Sequence, residues 1–155
     1  MIVPNVDGYL LDKTVNEVFE AGEMKKIPYM AGYVVDDLGT TDADRAKGEA
    51  GNILRECRKW CAGAEKYGNP DAFAYLFARN MPDEDGKTVP AFHSAEIWYM
   101  MGTLGRCWRP LEAHDYELST EMLDQWVHFM KTGMPTEDGS WRPCTEADGY
   151  VKEYR

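Results

Sequence analysis

The sequence has 155 residues, which suits one domain or a piece of one. Hydrophobic residues make up 44%, enough for a packed core and too many for a disordered acidic segment. Net charge is −10, from 27 acidic and 17 basic residues spread along the chain, so a hydrated acidic surface is expected and a nucleic-acid partner is not, because phosphate binding needs clustered Lys and Arg.

No apolar run approaches the ~20 residues of a membrane span, so no membrane partner is expected. Met1-Ile2-Val3-Pro4 runs into Asn5-Val6-Asp7-Gly8 without a basic segment or a long apolar one, and no leader is read from it. Residues 3–11 read as extended, with an Asp7-Gly8 turn inside them. Residues 12–22 suit a short helix: Val15, Val18 and Phe19 share a face and Gly22 ends it. The near-continuous apolar run 27–35 suits a strand buried on both faces, and it ends in Asp36-Asp37.

The longest helix is expected over 42–66, where Ala46, Ala50, Ile53, Leu54, Cys57, Cys61 and Ala64 recur at three- and four-residue steps. Thr41 or Asp42 can cap it and Gly68-Asn69-Pro70 ends it. Residues 73–78 form a second buried strand, closed by Asn80-Met81-Pro82 and a polar turn at 83–86. A last helix is expected over 119–132, with Ser119 as N-cap, Met122, Leu123, Trp126 and Met130 as its apolar stripe, and Gly133 and Pro135 as its stop. The order is that of an α/β protein. Two convincing strands and weak candidates at each end leave a sheet edge unexplained, so the chain reads as part of a larger sheet or as one completed by association.

The four cysteines read as free thiols in a reducing, cytoplasmic setting, with Cys57 and Cys61 buried on one helix face. Their spacing offers no zinc site, and neither a metal nor a cofactor is expected. Of the three histidines, His128 sits beside an apolar stripe and His114 in a polar stretch, both suited to packing or solvation. His93 follows a turn-rich segment and precedes an aromatic cluster, so it is either structural or placed to reach a cleft. Asp36-Asp37 stands at the carboxyl end of a strand, where open α/β sheets form sites; a helix cap is the other use. A carboxylate that orients a base histidine is two-thirds of a hydrolase triad, and acid before histidine is the chain order of α/β hydrolases.

The segment Phe92-His93-Ser94-Ala95-Glu96-Ile97-Trp98-Tyr99-Met100-Met101-Gly102-Thr103-Leu104 resembles the histidine loop of type-B carboxylesterases, the para-nitrobenzyl esterase-like group of the α/β-hydrolase superfamily. Trp126-Val127-His128-Phe129-Met130-Lys131-Thr132-Gly133-Met134-Pro135 resembles that family's terminal helix, and Trp141-Arg142-Pro143 its closing segment. Pro4-Asn5-Val6-Asp7-Gly8 and 27–32 resemble the stretches before the acid, and Tyr75-Leu76-Phe77 the strand before the histidine loop. The resemblance implies a single partial α/β-hydrolase domain over 1–155: its C-terminal portion, a few mostly parallel strands with flanking helices, incomplete as a single chain. It implies His93 as general base and Asp37 as triad acid, with Asp36 the alternative because Asp36-Asp37-Leu38 stands where the family more often has Asp-Glu-Gly. Glu96 would support the histidine loop from behind, or merely pack.

No Gly-x-Ser-x-Gly elbow or His-Gly-Gly-Gly loop occurs in the sequence. Ser94 adjoins His93, Ser119 reads as a cap and Ser140 as a turn residue, so no nucleophile is assigned. The implied function is that of a carboxylesterase fragment acting on a small-molecule carboxylic ester in a complete enzyme, with little activity alone. The alternatives are a non-catalytic module that self-associates into a homo-oligomer, and one half of a split esterase whose missing N-terminal half is another chain. Trp98, Tyr99 and Trp108 serve core packing or line an aromatic pocket.

Overall fold

The computed structural model describes residues 5–47 and 51–155. Three parallel strands, β1 (Tyr29–Val34), β2 (Ala72–Phe77) and β5 (Lys152–Tyr154), form a sheet in the order β1-β2-β5. Between β1 and β2 lie α2 (Asp42–Lys47) and α3 (Asn52–Lys66). After β2 the chain makes a small antiparallel hairpin, β3 (Met81–Pro82) and β4 (Thr88–Val89). Helices α4 (Ala95–Met100) and α5 (Ala113–Thr132) follow, and α1 (Val15–Glu20) precedes β1.

Every residue of β2 is buried, and side-chain size sorts its two faces. Ala72 and Ala74 point to α3, where they meet Cys61, Ala64 and Cys144. Their small size lets the helix approach the sheet. Phe73, Tyr75 and Phe77 point the other way, into the larger core built from α4 and α5 with Tyr99, Leu118, Met122, Trp141 and Tyr154. This alternation follows from the two-residue period of a strand. Gly32 of β1 is fixed by the same face: a Cβ there would come within 2.2 Å of the Tyr75 ring.

One buried charge joins α4 and α5 to the residues beyond β2. Asp115 is fully buried and accepts from Arg79 Nε at 2.8 Å, Tyr99 Oη at 2.7 Å and the Glu112 amide at 2.8 Å. Burial acts to raise its carboxyl, but Arg79, the Glu112 amide and Tyr99 outweigh it and hold the group below the ordinary value of 3.8.

Several sequence expectations need correction. The helix expected over 42–66 is two helices, α2 and α3, with Gly51 in extended backbone at the N-cap of α3; residues 48–50 lie outside the described residues. Gly51 is closely packed, and a Cβ would sit 2.9 Å from Tyr33 Oη. The last helix begins six residues before Ser119, at Ala113, through a capping box between Glu112 and Asp115. Ser119 is therefore not a cap: it is buried mid-helix and donates to the Tyr99 carbonyl at 2.8 Å. Gly133 does end this helix, in left-handed backbone at φ 79. Cys61 is buried as expected, whereas Cys57 is only half-buried. The sheet's third strand comes from the C-terminal end of the chain, while residues 5–11 form no strand.

Asp115→Asn should destabilise the fold by about 3 kcal/mol near neutral pH, as expected when a buried ion pair loses one partner. The wild-type contribution is complete above the unfolded carboxyl value and is lost as pH falls through the lower folded value. Acid unfolding followed by circular dichroism should therefore show a shallower loss of stability in the variant at low pH.

Candidate active site

The backbone brings two distant residues side by side at the carboxyl end of the sheet. The Val35 amide donates to Phe77 O at 2.9 Å, after which the chain leaves the sheet through the β3–β4 hairpin. It returns at Ala91, whose carbonyl accepts from the Asp36 amide at 3.0 Å. Asp36 and Phe92 form a parallel bridge. Asp37 and His93 are the next residue on each side of that bridge.

Their side chains meet: His93 Nδ1 lies 2.6 Å from Asp37 Oδ1. A carboxylate can only accept, so Nδ1 is the donor in this contact, which leaves Nε2 as the ring nitrogen facing outward. Asp37 is 13% exposed and His93 57%, so the acid is recessed and the imidazole projects outward. Among the described residues His93 Nε2 has no hydrogen-bond partner. Asp36 is turned elsewhere, onto Arg45 Nε at 2.7 Å. Of the two aspartates offered by the sequence, Asp37 is the one against the histidine.

The turn that presents His93 is strained. Ser94, at the N-cap of α4, has φ 69 in the left-handed region, which costs a non-glycine residue roughly 1–3 kcal/mol. It swings the chain abruptly from the extended Ala91-Phe92 row into α4 and leaves His93 at the bend. Glu96, in the first turn of α4, has Oε2 buried without a partner. Burial raises its carboxyl above the ordinary value; its own backbone amide opposes this, nearby Asp37 adds to the rise and His93 offsets it. Glu96 thus shares the electrostatic environment of the pair without a hydrogen bond to it.

The other histidines lie elsewhere: His114 Nε2 meets the Arg155 carbonyl at 2.7 Å and His128 Nδ1 meets Met134 O at 2.6 Å. Ser140 lies in a turn, its amide on Asp138 Oδ1 at 2.9 Å. Tyr99 is a core residue, Trp98 packs edge-on to Phe92, and Trp108 is exposed, so the three do not line a common pocket. Burial pushes the Cys61 thiol up to about 12, which makes it a poor nucleophile. Among the described residues no group of three or more His, Cys, Asp or Glu is placed to hold a metal, and no helix is long and apolar enough to cross a membrane. Arg79 and Arg109 were missed from sequence; their hydrogen-bond partners, Asp115 and Pro82, lie far away in the chain.

The fold is that of part of an α/β-hydrolase esterase. Two structures of PNB esterase match with TM-scores of 0.76 and 0.72, at 18% and 17% identity, over 100% and 99% of this chain but only 40% and 39% of theirs. An esterase from the anaerobe Clostridium hathewayi, described as able to hydrolyze aliphatic aromatic polyesters, matches at TM-score 0.59 and 20% identity, over 99% of this chain and 31% of that one. No curated protein matches. Residues 49–154 match the model of the Carboxylesterase family, and the chain belongs to that family.

Asp37→Asn should abolish the far-downfield Nδ1 proton resonance that a His93–Asp37 hydrogen bond produces, while Asp36→Asn should leave it in place. Proton NMR of the two variants checks this assignment.

Proposed function

We infer that this chain supplies the acid–base part of a serine carboxylesterase, with His93 as general base and Asp37 as the carboxylate that orients it. The observation that carries the reading is the 2.6 Å contact between His93 Nδ1 and Asp37 at the carboxyl end of a parallel sheet, with Nε2 left open. In this reading Nε2 takes the proton of a serine hydroxyl as the oxygen attacks the ester carbonyl. The imidazolium, stabilised by Asp37, returns that proton to the departing alcohol and leaves an acyl-enzyme. His93 then deprotonates water, which releases the acid and regenerates the serine. Glu96 backs the histidine loop with a half-buried carboxyl.

No residue described here can begin that cycle. Ser94 adjoins His93 in the chain, and Ser119 is buried with its hydroxyl committed to Tyr99 O. The serine and its oxyanion donors must come from another segment. The chain spans 40% of the PNB esterase it matches, which leaves room for one. The free edge of β1 is where further strands of the sheet would pair. The four free thiols fit a reducing, cytoplasmic setting.

A second reading is favoured by the surface near α1. Tyr9, Leu10 and Val15 are exposed, and Leu11, Val15, Met24 and Trp60 are among the residues lining an open groove of about 760 Å³. A homo-oligomer would cover this surface and the β1 edge. Light scattering on a size-exclusion column separates the readings, since a clean monomer contradicts self-association.

The chain alone should hydrolyse p-nitrophenyl acetate no faster than a folded non-enzyme control. Joined by a polypeptide that supplies a Gly-x-Ser-x-Gly elbow and an oxyanion loop, it should gain enzyme-like turnover. His93→Ala should then cost at least on the order of 10⁴-fold in kcat. Enzyme-like hydrolysis by the isolated chain that survives His93→Ala would refute the assignment.

A further inference from the structure

His93 is largely exposed, and its hydrogen bond is to Asp37 alone, so the direction of its ring depends on the backbone at 92–94. The left-handed turn at Ser94 bounds that backbone on one side. On the other side stands Phe92, whose ring meets Trp98 edge-on and has a guanidinium over its face. Arg109 Cζ lies 5.2 Å from the centroid of the Phe92 ring and 4.6 Å from that of Trp108. Arg109 Nη1 donates to the Pro82 carbonyl at 2.9 Å and lies 3.3 Å from Asp83 Oδ1. The side chain is only 10% exposed, and its Nε is buried with no partner. Its placement is therefore governed by the two rings and the hairpin carbonyl and not by full hydrogen-bond satisfaction.

We propose that Arg109 is a positioning residue for the His93 imidazole, tying Phe92 to the base of the β3–β4 hairpin so that the backbone entering His93 is held in one orientation. The proposal rests on the reading of His93 and Asp37 as base and acid. The 78–90 excursion separates β2 from the returning Ala91-Phe92 row, and Arg109 contacts both the excursion and that row: Pro82 in β3 and Phe92 just beyond β4. A planar cation can lie over rings and donate in its own plane at once, which an ammonium group cannot do. Phe92 is also held by Trp98 and by its bridge to Asp36, so loss of Arg109 removes one contact of several and loosens the aim of the exposed imidazole at Asp37, while the core behind it, anchored by Asp115, remains.

The test is proton NMR of the full 155-residue chain, reading the downfield His93 Nδ1 proton, with near-ultraviolet circular dichroism as the measure of folding. The signal is expected in the wild type and lost in Asp37→Asn. It is also expected to be lost in Arg109→Ala while the circular dichroism stays native, and Arg109→Lys should fail to restore it. A wild-type signal in Arg109→Ala overturns the proposal, and full rescue by lysine overturns the stacking argument at its centre. If Arg109→Ala lacks native circular dichroism, Phe92→Leu carries the test: loss of the signal supports the tie, and retention overturns it. A wild-type chain without the signal, or an Asp37→Asn variant that keeps it, would sink the base-and-acid reading and this proposal with it. Loss in Asp37→Asn with retention in Arg109→Ala removes Arg109 alone.

Discussion

The amide of Asp36 donates to the carbonyl of Ala91, and the geometry of the candidate site depends on that bond. The two residues lie on segments separated by two helices, a strand and a hairpin. Once they are bridged, parallel register leaves no choice about what comes next: Asp37 and His93 leave the sheet together and their side chains meet. Parallel strands deliver successive chain ends to one edge of the sheet, which is why residues distant in sequence converge there. A one-residue slip of that register would separate the pair.

The rest of the molecule makes the bridge rigid. Alanines on one face of β2 admit α3, and aromatics on the other fill the space under α4 and α5. The Arg79–Asp115–Tyr99 group then locks α4 against α5, and α4 carries the histidine turn at its first residue. A buried carboxylate with three good donors is costly to disturb, and it sits where movement would otherwise reach His93.

Much of the fold was legible because long apolar runs and helical periodicity are local signals. β1, β2 and the body of α3 follow from them directly. The extended backbone at Gly51 was not legible, because the helical periodicity runs through it and its close neighbours, Tyr33 and Thr40, come from elsewhere in the sequence. The start of α5 was hidden in a polar stretch, because Glu112 at its N-cap is not one of the residues that usually mark a helix start. Asp115 is the sharper case: it lies in a polar run yet is fully buried, because its partner Arg79 is 36 residues away. At the site, the resemblance favoured Asp37 over Asp36 beside His93, and Asp37 is the one in contact with it. The contact itself depends on a register between two strand extensions, which no local pattern records.

Amide hydrogen exchange at Asp36 tests this account most directly, because the bond it reports is the one that aligns Asp37 with His93. The account predicts an Asp36 amide protected to the same degree as the interior amides of β1, lost only on global unfolding. An Asp36 amide exchanging at the rate of an open loop, in a chain whose β1 amides stay protected, would contradict it.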